Sequence, residues 1–301
     1  MRALLWFVGS LLLAALIGAV VAYPVYVWTS TFSHFAFHRV AGRITELVLA
    51  LELFWLCRHL KLRPKRDFGF GLARRQFLTQ LMIWMMIGVA TAGLGAFFLI
   101  ATGLRVSDPS VDFTFRALTH LLFVGLTSGL TVALIEETVF RGALHTAIES
   151  KSGPWAAALA TAPLFAILHF YAKTRIPAAD LHWTSGFDLL VRSFAPLGHP
   201  WVVMDSFASW LVVGLLLSLT RILTGNIAVA MGLHAGWVIV LRVLADRTVP
   251  GSAPRYAAWV GQFDGLLGYW LIPWGMAIGW ALWRARALWV PYASGPSTSN
   301  R

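Results

Sequence analysis

Two adjacent glutamates, Glu136 and Glu137, lie inside the mostly apolar stretch 134–141, whose sequence is LIEETVFR. Two histidines, His169 and His234, lie inside other apolar segments. An ionisable side chain at membrane depth costs about 2.5–3.5 kcal/mol even on the translocon scale, so such residues usually mark a functional site. A carboxylate and imidazoles can together activate water and stabilise an oxyanion, which are the two tasks of amide hydrolysis.

Helical spacing separates the two glutamates by role. Glu137 and Arg141 are i and i+4, so we expect them to pair on one helix face. Glu136 points about 100° away from Glu137 and has no cation on its own helix. An unpaired carboxylate in an apolar wall suits a general base, and His169 could share the activation of a water molecule. His234 could then donate a hydrogen bond to the developing oxyanion.

The composition predicts a membrane protein. The chain has 301 residues, of which 58% are hydrophobic and 12% charged, whereas soluble domains have roughly 45–50% and about 25%. The net charge of +11 comes from Lys and Arg that lie mostly in short loops. That pattern is typical of topology signals and contacts with anionic lipid, and we expect no nucleic-acid partner. The single Cys57 excludes an internal disulfide and a multi-cysteine metal site.

The hydropathy pattern predicts an all-α polytopic helical bundle with about eight transmembrane helices. The apolar segments are 4–28, 42–57, 77–104, 117–149, 155–171, 204–223, 226–244 and 265–284. The first is longer than the apolar part of a secretory signal, so we expect a retained helix. The second is short and carries Glu46 and Glu52, so it could instead lie in the membrane interface.

One integral membrane domain is predicted over residues 1–292, with a motif-bearing core at 117–244 and a polar, Ser-rich disordered tail at 293–301. Within the core, the first strong break after Glu136 is the turn signal around Gly153. Segment 117–149 is therefore predicted to be one helix that forms a hairpin with the next.

The hairpin places the candidate residues at similar depth. Glu136 lies 17 residues before Gly153 and His169 lies 16 residues after it. His234 lies nine residues after the next turn signal, Gly225. Three helices can therefore present Glu136, His169 and His234 in one buried layer. His145 extends the stripe formed by residues 137 and 141 but lies nearer the helix end, where we expect an interfacial role.

At these residues the chain resembles a known family. EETVFR at 136–141 matches the EExxxR motif of the type II CAAX prenyl protease and bacteriocin-processing (CPBP, or Abi) family. FAILH at 165–169 matches its second motif, FxxxH, and HAGWV at 234–238 is similar to its third. The motifs occur in the family's order on separate predicted helices, and the resemblance covers about 117–244.

The resemblance implies a glutamic-type intramembrane endopeptidase that uses no metal and no cofactor. In that family the first glutamate and the second-motif histidine activate water, which would be Glu136 and His169 here. The third-motif histidine, here His234, would help to bind the oxyanion. The residues that would support the site are Glu137, Arg141 and Phe165.

The third motif departs from the prenyl-protease pattern at Val238, where asparagine would be a second oxyanion donor. Valine has no donor, so either His234 acts alone or another group substitutes, with Trp237 and Asn226 as candidates. Losing one oxyanion donor typically lowers the rate by about 10²–10³.

Two other functions stay open on the sequence. Two histidines and a carboxylate also make a catalytic zinc set, although no HExxH pair is present. Alternatively, the chain could be a non-catalytic immunity or scaffold protein of the same family.

For the protease we expect a membrane-anchored protein or peptide as substrate, and a location in the bacterial inner (cytoplasmic) membrane.

Overall fold

The computed structural model of the chain describes residues 2–33, 35–111, 114–170, 174–251, 259–261, 263 and 265–288. The tail predicted at 293–301 lies outside the described residues. The α-helices are α1 (Arg2–Ser30), α2 (Phe37–His59), α3 (Pro64–Asp67), α4 (Arg74–Ala101), α5 (Phe115–Glu137), α6 (His145–Ser152), α7 (Pro154–Leu168), α8 (Ser185–Phe194), α9 (Pro200–Thr224), α10 (Ala228–Arg247) and α11 (Leu271–Arg284). A π-helical segment (Thr138–Leu144) joins α5 to α6, and 3₁₀ turns lie at Ala178–Asp180, Ala195–Gly198 and Ala285–Leu288.

The fold is all-α, as predicted, apart from two short antiparallel strands, β1 (Arg105–Ser107) and β2 (Thr248–Pro250). Across this pair the Arg105 Nε–H donates to Thr248 Oγ1 at 2.9 Å. The two strands follow directly on the C-terminal ends of α4 and α10, so they tie these two helix ends together.

The protein is an integral membrane protein, and in the described residues five helical segments are long and apolar enough to cross a membrane. These are Arg2–Ser30, Arg74–Ala101, Phe115–Ser152, Pro200–Thr224 and Ala228–Arg247. Eight spans were predicted. Two of the remaining apolar segments form helices that are short for a ~30 Å core, with 15 residues in α7 and 14 in α11. The third, α2, has 23 residues but carries charged side chains along its length.

The chain forms two compact units, one from Met1–Leu62 with Ala166–Met204 and the other from Arg63–Phe165 with Asp205–Arg301. The single domain predicted over 1–292 stays a prediction. In the first unit α1, α2 and α8 pack around an apolar cluster whose buried members are Ala22, Phe37, Ala41 and Leu189. A Cβ at Gly186 of α8 would collide with the carbonyl oxygen of Ala19 in α1, so the two backbones touch.

In the second unit α10 packs against both α4 and α5 through small residues. Gly232 and Gly236 of α10 meet the backbone of α4, and Gly129 of α5 meets the Ala235 carbonyl. Between membrane helices, small residues let backbones approach closely and so gain van der Waals contact. This packing holds α10, which carries His234, against α5, which carries Glu136.

We expect Gly236→Ala to lower the free energy of unfolding by about 1–3 kcal/mol, because overpacking a tight interface forces the backbones apart. A Cβ at Gly236 would lie 2.7 Å from the Val89 amide nitrogen and 2.8 Å from the Gly88 carbonyl carbon. The matched control is Gly93→Ala in α4, where a Cβ would have nothing within 4 Å. Chemical denaturation of both variants in mixed micelles measures the difference, and equal effects would contradict the close packing.

The motif-bearing helix is continuous, as predicted, from Phe115 to Ser152 and ends at Gly153, whose φ is +83°. A residue with a Cβ rarely adopts this left-handed conformation, so glycine fits the stop. The difference from the prediction is the π-helical turn over Thr138–Leu144. It begins one residue after Glu137 and contains Arg141.

Candidate active site

The two glutamates lie at the end of α5, immediately before the π-helical segment Thr138–Leu144. π-helical turns are rare and occur frequently at functional sites. Inside the segment, Gly142 lies against the backbone of Phe68, because a Cβ at Gly142 would be 2.9 Å from the Phe68 carbonyl oxygen. The loop after α3 therefore packs directly on the π-helical turn.

The predicted pair of Glu137 and Arg141 is present and fully buried. The Arg141 Nη1–H donates to Glu137 Oε1 at 3.0 Å, and the two side chains are 1% and 0% exposed. The Arg141 Nη2–H donates to the carbonyl of Gly214 in α9 at 3.1 Å. The guanidinium also lies over the ring of Phe165 in α7, 4.3 Å from its centroid. One arginine therefore links the motif helix to two neighbouring helices.

His234 joins this pair from α10. Its Nδ1 lies 2.8 Å from Glu137 Oε1, and its ring centroid lies 6.1 Å from that of Phe165. An ionised carboxylate only accepts hydrogen bonds, so with Glu137 ionised the proton of this contact is on His234 Nδ1. We did not predict this contact from the sequence, because the two residues are 97 positions apart and no local pattern links them.

Glu136 faces the other nitrogen of the same imidazole. Its Oε2 lies 4.0 Å from His234 Nε2, beyond hydrogen-bond range. Within the described part of the chain this oxygen is buried and has no hydrogen-bond partner, although 29% of the side chain is exposed. Oε2 of Glu137 is likewise buried without a partner among the described residues, but Glu137 is 0% exposed and its Oε1 is paired with Arg141, whereas Glu136 is partly exposed. Glu136 is therefore the better placed to hold a water molecule.

His169 lies in the turn that follows α7, four residues after Phe165, and is partly buried. Its amide donates to the Ala166 carbonyl at 3.2 Å. His169 belongs to the compact unit of Ala166–Met204, whereas the residues around Glu136 belong to the other unit. Its approach to Glu136 therefore stays a prediction.

The two substitutes suggested for the missing oxyanion donor are both engaged elsewhere. The Trp237 Nε1–H donates to Thr91 Oγ1 at 3.0 Å. Asn226 lies two residues before the start of α10: its Oδ1 accepts from the Ala228 amide at 2.9 Å, and its Nδ2–H donates to the Thr224 carbonyl at 3.1 Å. Val238 is partly buried one helical turn after His234. The role of His234 as oxyanion donor stays a prediction, and both suggested substitutes donate to other groups.

Two further polar residues are buried in the protein. His145, for which an interfacial role is predicted, is fully buried, with Nδ1 3.4 Å from Glu149 Oε2, and its role stays a prediction. Arg221 lies in the last turn of α9 and is 8% exposed. The signal that could have revealed it is its position within the apolar segment 204–223. An arginine within a membrane helix usually pairs with carboxylates or backbone carbonyls.

No group of three or more His, Cys, Asp or Glu side chains in the described ranges is arranged to hold a metal ion. A zinc set drawn from the motifs would combine Glu136 and His234 with His169, and this combination depends on the untested position of His169.

Residues 118–240 match the family model described as type II CAAX prenyl endopeptidase Rce1-like. The predicted family resemblance is confirmed. The matched residues include all three motifs, the whole of α7 and most of α5 and α10. No curated protein and no solved structure matched the chain. At the level of the family, the match supports an intramembrane CAAX-type protease, in agreement with the membrane-spanning helices.

Proposed function

We propose that this chain is a glutamic-type intramembrane endopeptidase that hydrolyses a peptide bond of a membrane-anchored protein or peptide. The observation that carries the proposal is the arrangement around His234. Its Nδ1 contacts the buried Glu137, and its Nε2 faces the unsatisfied Oε2 of Glu136 at 4.0 Å. A carboxylate base and an imidazole donor held close together suit the two tasks of amide hydrolysis, the activation of water and the stabilisation of an oxyanion.

In the proposed reaction, Glu136 and His169 hold and polarise a water molecule. Glu136 removes one proton as the water oxygen forms a bond to the substrate carbonyl carbon. The carbonyl oxygen then carries the negative charge of a tetrahedral intermediate. When the C–N bond breaks, the proton passes from Glu136 to the leaving amide nitrogen. Water is therefore consumed, and a carboxylic acid and an amine are formed.

His234 has to carry a proton on both ring nitrogens to act as the oxyanion donor, because its Nδ1–H is engaged with Glu137. The Glu137 carboxylate then offsets the positive charge of the imidazolium, and Arg141 fixes that carboxylate through the 3.0 Å ion pair. A third group that orients the acid or base is a recurring feature of hydrolytic sites. Glu137 and Arg141 thus act on the reaction through His234.

We expect His169→Ala to lower kcat by about 10²–10⁴, the usual contribution of a positioned acid–base group. The full chain would be reconstituted in lipid vesicles with a farnesylated peptide that ends in a CAAX sequence, the substrate type named by the family. Mass spectrometry of the products identifies the bond that is cleaved. The matched control is His120→Ala, because His120 is an exposed residue near the start of α5. Equal rates for the two variants would remove His169 from the mechanism.

The same assay separates the alternatives. A zinc protease would lose activity with a chelator and recover it with added zinc, whereas the glutamic-type enzyme is expected to be unaffected. A non-catalytic immunity or scaffold protein would cleave neither the prenylated peptide nor other membrane-anchored probes.

We propose the bacterial inner (cytoplasmic) membrane as the location, and selective labelling of intact cells and of inverted membranes tests it.

A further inference from the structure

A second layer of buried polar residues lies directly beyond the candidate active site, between α6 and α9. Its central residue is Arg221 of α9, which is 8% exposed. Seven residues, or about two helical turns, separate it from Gly214, the carbonyl that accepts from Arg141. Gly214 and Arg221 therefore lie on the same face of α9, which faces the π-helical segment.

Hydrogen bonds connect Arg221 to the backbone of the active-site arginine. The Arg221 Nε–H donates to the carbonyl oxygen of Arg141 at 3.1 Å. Its Nη2–H approaches Thr146 Oγ1 at 3.3 Å, and the Thr146 hydroxyl donates to the carbonyl of Asp67 at 2.6 Å. Arg221 thus connects α9, the π-helical segment and the end of α3.

The charge of Arg221 is balanced outside the catalytic set. The carboxylates that interact with it electrostatically are those of Glu149 and Asp67. Glu149 also lies 3.4 Å from the buried His145. A buried cation without partners would be strongly unfavourable. The hydrogen bonds to the Arg141 carbonyl and to Thr146 Oγ1, together with these carboxylates, stabilise the Arg221 guanidinium. Glu136 and Glu137 are not among the carboxylates that interact with Arg221.

The π-helical turn suggests a structural role for Arg221. π-helical turns are rare and occur mostly as single turns inside α-helices, frequently at functional sites. Helix α9 contacts both the side chain and the main chain of Arg141. The Gly214 carbonyl accepts from the guanidinium, and Arg221 donates to the main-chain carbonyl. If the turn relaxed to an ordinary α-helix, the loss of one residue per turn would rotate Arg141 relative to Glu136 and Glu137. The helix could then not keep both the contact of Glu137 with His234 and the hydrogen bonds of Arg141 to α9.

We propose that Arg221 is a positioning residue that fixes the π-helical turn, so that Glu136 and Glu137 both meet His234. It touches neither substrate nor the reacting atoms and acts through the Arg141 carbonyl. Its effect on catalysis rests on the proposed protease function, whereas its effect on the π-helical turn does not. The two effects can therefore be measured separately.

The catalytic effect is tested by Arg221→Met in the vesicle assay with the farnesylated CAAX peptide. We expect kcat to fall by about 10²-fold with KM unchanged, because a misplacement of about 1 Å in catalytic groups has this effect. Arg221→Lys keeps the charge and one donor, so its kcat is expected to lie between those of the wild type and Arg221→Met. A rise in KM alone, or no change in kcat for either variant, would overturn the proposal.

Two control variants separate positioning from general loss of packing. Thr146→Val removes the hydroxyl that Arg221 Nη2 approaches but leaves the bond to the Arg141 carbonyl. Ser218→Ala changes the same face of α9, and within the described part of the chain the Ser218 hydroxyl is buried and has no hydrogen-bond partner. Both are expected to keep kcat near the wild-type value. A fall equal to that of Arg221→Met in either control would count against the specific role of the Arg141 carbonyl.

Hydrogen–deuterium exchange of peptides covering residues 138–146 measures the turn without any assay of activity. Loss of the Arg221 bond is expected to speed amide exchange there by about tenfold, with little change in Thr146→Val. If Arg221→Met does not fold, Arg221→Lys carries the test, and wild-type exchange and kcat in that variant would overturn the proposal. Faster exchange in a protein whose wild type cleaves no probe would uphold the positioning role and refute the protease function.

Discussion

Glu136→Gln is expected to lower kcat by about 10²–10⁴ while KM and stability stay near their wild-type values. Glutamine has the same size as glutamate but cannot remove a proton from water. In the described part of the chain Glu136 Oε2 has no hydrogen-bond partner, so the substitution breaks no hydrogen bond to this oxygen. A selective loss of kcat therefore identifies the base. The measurement is the initial rate of peptide cleavage in vesicles over a range of substrate concentrations.

The matched control is Glu46→Gln in α2. Glu46 pairs with Arg43 at 2.6 Å, but the side chain is 65% exposed. We expect this variant to cleave at the wild-type rate. Full activity of Glu136→Gln would refute the proposed mechanism. An equal loss of cleavage rate in both variants would mean that the protein was damaged during reconstitution, and not that a catalytic base was removed.

Arg141→Met is expected to lower the free energy of unfolding by about 3–5 kcal/mol, because it leaves a buried carboxylate without its cation. Arg141 is 1% exposed, and its removal leaves both Glu137 Oε1 and the Gly214 carbonyl without the guanidinium. The His234 contact then has to satisfy Glu137 alone. Denaturation of the variant and the wild type in the same mixed micelles measures the difference.

A second substitution shows whether the unpaired charge causes the loss. The double variant Glu137→Gln/Arg141→Met removes both charges, so it is expected to be more stable than Arg141→Met alone. Arg43→Met removes the cation of an exposed pair and is expected to change stability little. A double variant no more stable than the single one would mean that lost packing around Phe165, and not the buried charge, dominates.

The local part of the candidate site followed from spacing alone. The pairing of Glu137 with Arg141 was predicted from their i, i+4 spacing, and the structure contains it at 3.0 Å although Arg141 lies in the π-helical turn. The helix break at Gly153 likewise followed from a residue that tolerates a positive φ. The all-α membrane fold followed from composition, because few other structures satisfy the backbone inside a bilayer.

The non-local contacts could not be predicted in the same way. Glu137 meets His234, and Trp237 donates to Thr91, only because α10 packs closely on α4 and α5 through glycines. The sequence suggested Trp237 as an oxyanion donor because nothing local shows where an indole N–H is directed. Whether segment 42–57 spans the membrane, and how near His169 lies to Glu136, are still predictions.

By itself, the sequence determined that this is a helical membrane protein with a resemblance to the CAAX protease family, and it singled out the residues that we propose do the chemistry. Those conclusions depend on hydrophobicity, helical period and motif order, all of which are properties of neighbouring positions. The tertiary structure decided that His234 contacts Glu137 and faces Glu136, that the motif helix changes to a π-helical turn at Thr138, and that Arg221 of α9 donates to the Arg141 carbonyl. These features arise from packing between distant segments, where the need to satisfy each buried charge selects the partner.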